Sequence, residues 1–158
     1  MTELKCAEKV LHHLTQRGLA YEIAEHREAF TAQDLAAALH VPGARVAKAV
    51  LLIADDRLVM AVLAAPDHVG LIRAREALGA GELRLATESE FAAAFPNCEL
   101  GAAPPFGDLY GLPTYLDRRL LDAESIVFAA GSHRHSMRLS LAAYREAARP
   151  GVAELAAG

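Results

Sequence analysis

Two apolar runs separated by four residues constrain the fold of this chain more than any other feature. Val46–Ile53 and Leu58–Ala65 consist almost entirely of apolar residues, and residues 54–57, Ala-Asp-Asp-Arg, stand between them. Runs of this length on either side of a short polar turn predict two buried strands joined as a β-hairpin.

The other predicted elements do not follow a regular strand–helix repeat. Helical spacing and capping patterns predict helices ending at Gly18, from Thr31 to about His40, from Asp67 to Leu78, from Thr87 to about Pro96, and from about Ala142 to Pro150. Further strands are predicted over residues 19–25, 112–116, 125–130 and 136–141. This order predicts an α+β fold, with a mixed or antiparallel sheet that could be barrel-like and with helices outside it.

Length and composition predict a single domain over residues 1–158. The chain is 53% hydrophobic and 23% charged, and it contains no repeat or linker. The Ala-rich tail, residues 151–158, is expected to fray. No apolar run approaches the ~18 residues of a membrane span. Cys6 and Cys98 lack metal-ligand spacing, so we predict a cytoplasmic protein with two reduced, structural thiols.

The charge and the missing motifs exclude several kinds of function. A net charge of −4 argues against a protein that grips long stretches of nucleic-acid phosphate, although it allows capture of one RNA end. The chain has no G-x-S-x-G elbow and no G-x-x-x-x-G-K-[ST] phosphate loop. Neither cysteine stands near a histidine in a known cysteine-hydrolase pattern. The motifs therefore predict no protein nucleophile, no cofactor, and no DNA or membrane partner.

Lys48 is the only lysine after residue 9, and it falls within the first predicted strand of the hairpin. In a strand it shares a face with Val50 and Leu52, and a lysine on an apolar face needs a partner or an opening to water. It could hold a phosphate or a polarised substrate oxygen in a pocket. It could also reach solvent by its flexible stem, and the pattern alone favours this second interpretation.

Two glycine-bearing turns are further candidate binding segments. Residues 101–107 begin and end with glycine and contain two prolines, so their remaining N–H groups could face a substrate carbonyl, or the segment could be only a rigid turn. In Gly131-Ser132-His133, the histidine could donate to a substrate oxygen, position water, or be solvated. His133 and His135 form an H-x-H pair, but a third ligand is not evident, so no metal site is predicted.

The order and spacing of Lys48 and the two turns resemble the YbaK/EbsC family, the prolyl-tRNA-synthetase-associated domain that hydrolyses mischarged aminoacyl-tRNA. The resemblance spans about His26 to Pro150 and implies a curved mixed sheet of six or seven strands with flanking helices. It places Lys48 at the position of the family's essential lysine. Ala49 follows it where some members that edit alanyl-tRNA carry asparagine, which puts alanine specificity in doubt. His26 occupies a position that the family favours, without an assigned role.

The resemblance implies a trans-acting aminoacyl-tRNA deacylase, a hydrolase that acts on the ester of tRNA(Pro) or a related tRNA carrying a wrong small amino acid. Its partners would be the 3′ end of aminoacyl-tRNA and a prolyl-tRNA synthetase. Lys48 would be the catalytic residue, and the substrate-binding residues would be Gly101, Pro104, Pro105, Phe106, Gly107, Gly131, Ser132 and His133. Two alternatives are an inactive module that binds a tRNA end or a synthetase, and a hydrolase of a small ester or nucleotide conjugate.

Overall fold

A computed structural model describes the backbone of residues 2–158 and the side chains from Lys5 onward. The described residues form five α-helices and eight strands. The helices are Glu8–Gln16 (α1), Ala32–Leu39 (α2), Leu71–Leu78 (α3), Glu88–Ala94 (α4) and Leu141–Ala148 (α5). The strands are Glu22–Glu25 (β1), Ala47–Ala54 (β2), Arg57–Ala64 (β3), Leu83–Leu85 (β4), Thr114–Asp117 (β5), Ser125–Ala129 (β6), His135–Ser140 (β7) and Gly151–Ala153 (β8). None of these helices is long and apolar enough to cross a membrane.

The predicted hairpin is confirmed as β2 and β3, which pair antiparallel along their whole length. Asp55 and Asp56 form the turn and have φ angles of 46° and 67°, which a two-residue hairpin turn of this kind requires. The Asp55 carboxylate accepts hydrogen bonds from the N–H groups of Gly81 and Glu82. These bonds hold the turn against the segment that leads into β4.

The α+β fold with flanking helices is as predicted, but the strands divide into two sheets and do not close into a barrel. The larger sheet has the order β4-β2-β3-β5-β8, with antiparallel pairs around β2 and parallel pairs on either side of β5. The smaller sheet is antiparallel, in the order β1-β7-β6. A parallel bridge between Val46 and Val127 brings the start of β2 beside β6.

Three apolar clusters hold the elements together. The largest packs α1 and α5 against both sheets, and the ring of Phe106 there meets those of Phe128 and Tyr144 edge to face. The buried Tyr144 hydroxyl donates to the carbonyl of Pro105 at 2.7 Å, so it does not remain unpaired. The second cluster lies between the hairpin, α3 and the tail, and the third lies beneath α2.

The tail, which its composition suggests would fray, is packed against the larger sheet. Gly151–Ala153 forms β8, parallel to β5, and both Leu155 and Ala156 are buried. The buried Asp117 Oδ1 accepts the N–H groups of Leu155 at 2.8 Å and of Ala156 at 3.0 Å. A carboxylate that accepts two backbone N–H groups fixes the chain firmly there.

The prediction of two reduced thiols is wrong. Cys6, at the end of the turn before α1, and Cys98, after α4, form a disulfide with their Cα atoms 5.0 Å apart. A cross-link that spans 92 residues of sequence removes much of the freedom of the unfolded chain. It also ties the N-terminal segment to the residues that lead into the Gly101 turn.

The helix starts agree with the capping patterns in two of three cases. Thr31 and Thr87 cap α2 and α4 as predicted, and each hydroxyl accepts a backbone N–H of the first turn. The predicted cap of α3 is wrong, because that helix begins after Gly70 and not at Asp67. The Asp67 carboxylate instead forms an ion pair with Arg119 at 3.0 Å.

Candidate active site

A cavity of about 40 Å³ lies where β2 begins, beside the turn between β6 and β7 and the segment that leads into α2. This volume holds a few water molecules or a small side chain. Four residues that the sequence singles out line it: Lys48, Gly101, Ser132 and His133. Its other lining residues are His26, Ala29, Phe30, Thr31, Ala32, Leu35, Ala47, Ala49, Ala103, Ala129 and His135. The fold therefore brings all three sequence segments to one place.

Lys48 is half-buried near the start of β2 and has one hydrogen-bond partner among the residues whose side chains the structure describes. Its Nζ donates to the carbonyl of Ala65 at 3.0 Å, which leaves two of its three N–H donors for a ligand. Burial lowers the pKa of Lys48, and the nearby carboxylate of Asp67 opposes part of that decrease. Lys48 is one of the residues that line the cavity, so its ammonium is a candidate to contact an anion or a developing oxyanion there.

The segment before α2 holds the Gly131–His133 turn in position. The N–H of Ala29 donates to the carbonyl of His133 at 2.9 Å, and His133 Nδ1 lies 3.1 Å from the carbonyl of Ala29. Since a carbonyl only accepts, Nδ1 carries the proton and Nε2 is an acceptor in the neutral ring. Donation from Nε2 to a substrate oxygen would therefore need the protonated imidazole.

Ser132 and His135 form a buried pair that the motif search does not predict. Ser132 Oγ lies 3.1 Å from His135 Nδ1, and the two residues are 2% and 6% exposed. His135 Nε2 in turn lies 3.9 Å from the carboxylate of Glu25. The hydroxyl and the imidazole are two members of an activated-nucleophile arrangement, but 3.9 Å is too long for a hydrogen bond and the Glu25 side chain is 81% exposed, so no carboxylate orients the ring. The sequence feature that could have indicated His135 is the alternation of residues along β7, which puts His135 on the inward face with Met137.

The two predicted turns contribute to the cavity unequally. Gly101 lines it at a φ of 80°, with open space where a Cβ would stand. The ring of Phe106 is in the core, Gly107 packs against Thr114, and Gly131 packs against Cys6. The predicted residues outside the lining are Pro104, Pro105, Phe106, Gly107 and Gly131. Contact between these five residues and a substrate stays a prediction.

Phe30 is an exposed aromatic residue at the cavity that the sequence patterns do not indicate. Its side chain is 63% exposed, and its ring centroid lies 5.2 Å from that of His133. Exposing so large an apolar ring costs free energy unless a partner covers it. In proteins that bind single-stranded nucleic acid, exposed aromatic rings provide surfaces on which bases stack.

The H-x-H pair is engaged in hydrogen bonds with protein groups. His133 Nδ1 bonds to Ala29 and His135 Nδ1 bonds to Ser132. Over the part of the chain that the structure describes, no group of three or more His, Cys, Asp or Glu side chains could hold a metal ion.

Comparisons with known proteins place most of this chain in one family. The model of the aminoacyl-tRNA editing domain matches residues 26–147. The proline–tRNA ligase of Acidithiobacillus ferrooxidans is 30% identical over 79% of this chain, and that of Solidesulfovibrio magneticus is 36% identical over 70%. These matches span only 22% and 19% of the ligases' own length.

The fold is shared with a solved structure described as that of a candidate trans-editing enzyme for prolyl tRNA synthetase. Its TM-score is 0.84 at 24% identity, over 98% of both chains. Since the family model covers most of the sequence, the chain belongs to the aminoacyl-tRNA editing domain family.

Proposed function

We propose that this protein is a trans-acting deacylase that hydrolyses the ester between a wrong, small amino acid and the 3′-terminal ribose of a tRNA. The observation that carries the proposal is the convergence of Lys48, Ser132 and His133 on one small cavity in a member of the editing-domain family. The similarity to two proline–tRNA ligases supports tRNA(Pro) or a related tRNA as substrate and a prolyl-tRNA synthetase as partner.

The chemistry requires water to attack the ester carbonyl, which places negative charge on the carbonyl oxygen. The C–O bond then breaks, and the ribose oxygen leaves with a proton. The Lys48 ammonium anchors the 3′-terminal nucleotide through its phosphate and stabilises the developing charge. Ala47, Ala49 and Ala103 line the cavity and leave room only for a small side chain.

A second candidate function is the hydrolysis of a small ester through a covalent intermediate, and the Ser132–His135 hydrogen bond favours it. Ser132 Oγ would attack the carbonyl while His135 Nδ1 takes its proton, and water would then release the acyl group. The Ser132 oxygen also accepts the N–H of Arg134 at 3.0 Å, which ties up one of its lone pairs. This second contact makes the hydroxyl a weaker nucleophile, so the deacylase without a covalent intermediate is preferred.

The proposal is tested by a panel of mischarged tRNAs and simple esters, with release of the labelled amino acid measured over time. We expect turnover of tRNA(Pro) carrying a small wrong amino acid and slow turnover of p-nitrophenyl acetate. Fast turnover of the small ester with a burst of product, and none of the tRNAs, would instead establish the second candidate. Tight binding of the tRNA end without hydrolysis would identify an inactive binding module.

Phe30→Ala is expected to raise KM for mischarged tRNA about tenfold and to leave kcat nearly unchanged, because the lost contact is base stacking. Ile72→Ala is the matched control, since that side chain is 72% exposed on α3 and does not line the cavity. Steady-state kinetics of the two variants make the comparison. Equal KM values would show that Phe30 does not contact the RNA.

A further inference from the structure

His26 has a buried ring nitrogen that lacks a hydrogen-bond partner within the described residues. Its Nδ1 lies 2.7 Å from the carbonyl of Arg27, while its Nε2 is buried and unpaired. Burying a polar atom without a partner is unfavourable, so such atoms are few and each calls for an explanation. Among the described side chains, one other atom shares this state, Thr114 Oγ1, and Thr114 is not among the residues that line the cavity.

The contact to Arg27 fixes which ring nitrogen is protonated. A backbone carbonyl only accepts, so Nδ1 must be the donor, and the neutral ring leaves a lone pair on Nε2. The backbone of the segment is held as well, because His26 N–H donates to Arg134 O at 2.9 Å. His26 is thus a residue of the cavity lining whose Nε2 is a buried acceptor without a partner among the described residues.

The charged groups around His26 do not themselves decide the ligand. Glu25, Glu28 and Glu99 are exposed, as are Arg27 and Arg134, and none of these five residues lines the cavity. The cavity's ammonium group, Lys48, stands on a different element, β2. The neutral acceptor of His26 is thus suited to a donor such as an ammonium group, whereas the Lys48 ammonium is suited to an anion.

We propose that His26 Nε2 accepts a hydrogen bond from the α-ammonium group of the aminoacyl ester. The inference rests on the proposed function, because it assumes that the aminoacyl group of the ester enters the cavity. Every aminoacyl ester carries this ammonium one carbon from the reacting carbonyl. The contact orients the amino acid and discriminates against acyl groups without an amine.

The test compares two stable amide probes, 3′-alanylamino-3′-deoxyadenosine and its 3′-propionylamino counterpart, which lacks the ammonium. Binding is measured by calorimetry. In the wild-type protein, the alanyl probe is expected to bind about tenfold more tightly than the propionyl probe. His26→Asn keeps a donor near the position of Nδ1 and removes the acceptor. It should bind the alanyl probe about tenfold more weakly and no longer distinguish the two probes.

Two further variants separate this role from a structural one. His12→Asn changes an exposed histidine on α1 and should retain the wild-type preference. His26→Gln places an amide oxygen near the position of Nε2 and should restore part of the preference. A merely structural defect in His26→Asn would weaken both probes equally, and that result would overturn the proposal.

The outcomes distinguish the two levels of inference. If the wild-type protein hydrolyses mischarged tRNA while His26→Asn still prefers the alanyl probe, only the role of His26 falls. If the wild-type protein binds neither probe and hydrolyses no mischarged tRNA, the proposed function falls, and the role of His26 falls with it.

A 2′-deoxy version of the alanyl probe tests whether the ribose 2′-hydroxyl, and not the ammonium, is the donor to His26 Nε2. If His26→Asn erases the effect of that hydroxyl and not of the ammonium, the ammonium assignment is overturned.

Discussion

Replacing Lys48 with alanine is expected to reduce kcat for deacylation by about a hundredfold, because removing one electrostatic stabiliser of a transition state has typically this effect. The protein should stay folded, since the side chain is half-buried and its hydrogen bond within the described residues goes to a backbone carbonyl, that of Ala65. Lys5→Ala is the matched control, because it removes an exposed lysine outside the cavity. The measurement is single-turnover hydrolysis of mischarged tRNA, together with urea unfolding of each variant. Near wild-type turnover in folded Lys48→Ala would remove Lys48 from the mechanism.

The pH dependence of the reaction provides a second measurement on the same residue. Burial lowers the pKa of Lys48, so the ammonium is present below this lowered pKa and is lost as the pH rises through it. Enzymatic turnover should therefore decline at a lower pH than that at which an exposed lysine titrates, after correction for spontaneous ester hydrolysis. Lys48→Arg should be slower at neutral pH, because the planar guanidinium group is larger than an ammonium group. Since arginine retains its charge at alkaline pH, the turnover rate of this variant should not decline there.

Local sequence patterns predicted the elements that are determined by residues close together in the sequence. The β2–β3 hairpin follows from two apolar runs and a polar turn, and the starts of α2 and α4 follow from Thr31 and Thr87. In each case the residues that determine the structure are neighbours in sequence. The predicted start of α3 is wrong because the Asp67 carboxylate, which could cap a helix, instead pairs with Arg119, a residue distant in sequence.

The elements that the patterns missed depend on contacts between distant residues. β8 forms because the carboxylate of Asp117 accepts the N–H groups of Leu155 and Ala156, and nothing in an Ala-rich tail indicates that partner. β4 is a three-residue edge strand that pairs with the end of β2. Short strands of this kind carry too few residues for a recognisable alternation.

The candidate site likewise combines residues that sequence patterns identify with a residue that contacts between distant segments place there. Lys48, Gly101, Ser132 and His133 were singled out from sequence, and the structure places all four around one cavity. His26 was not assigned a role, because its position depends on backbone hydrogen bonds between residues 26–29 and 133–134. No periodic pattern marks such a segment.

Gly131→Ala is expected to lower the free energy of unfolding by about 3 kcal/mol, from two costs that act together. Gly131 has a φ of 92°, and a residue with a Cβ pays about 1–2 kcal/mol in that region. An added Cβ would also stand 2.6 Å from the Cβ of Cys6, and overpacking of a dense site typically costs about 1–3 kcal/mol. Cys6 cannot easily move aside, since the disulfide to Cys98 anchors it.

Gly18→Ala isolates the first cost, because Gly18 has a φ of 67° and nothing lies within 4 Å of where its Cβ would stand. That variant should lose only about 1 kcal/mol. Urea unfolding without reductant measures both variants, and equal losses would show that the contact with Cys6 is unimportant. Repeating Gly131→Ala in a Cys6→Gly, Cys98→Ser background removes the Cβ that the new methyl group would strike. The extra cost should then disappear, which would establish that Cys6 constrains the turn carrying Ser132 and His133.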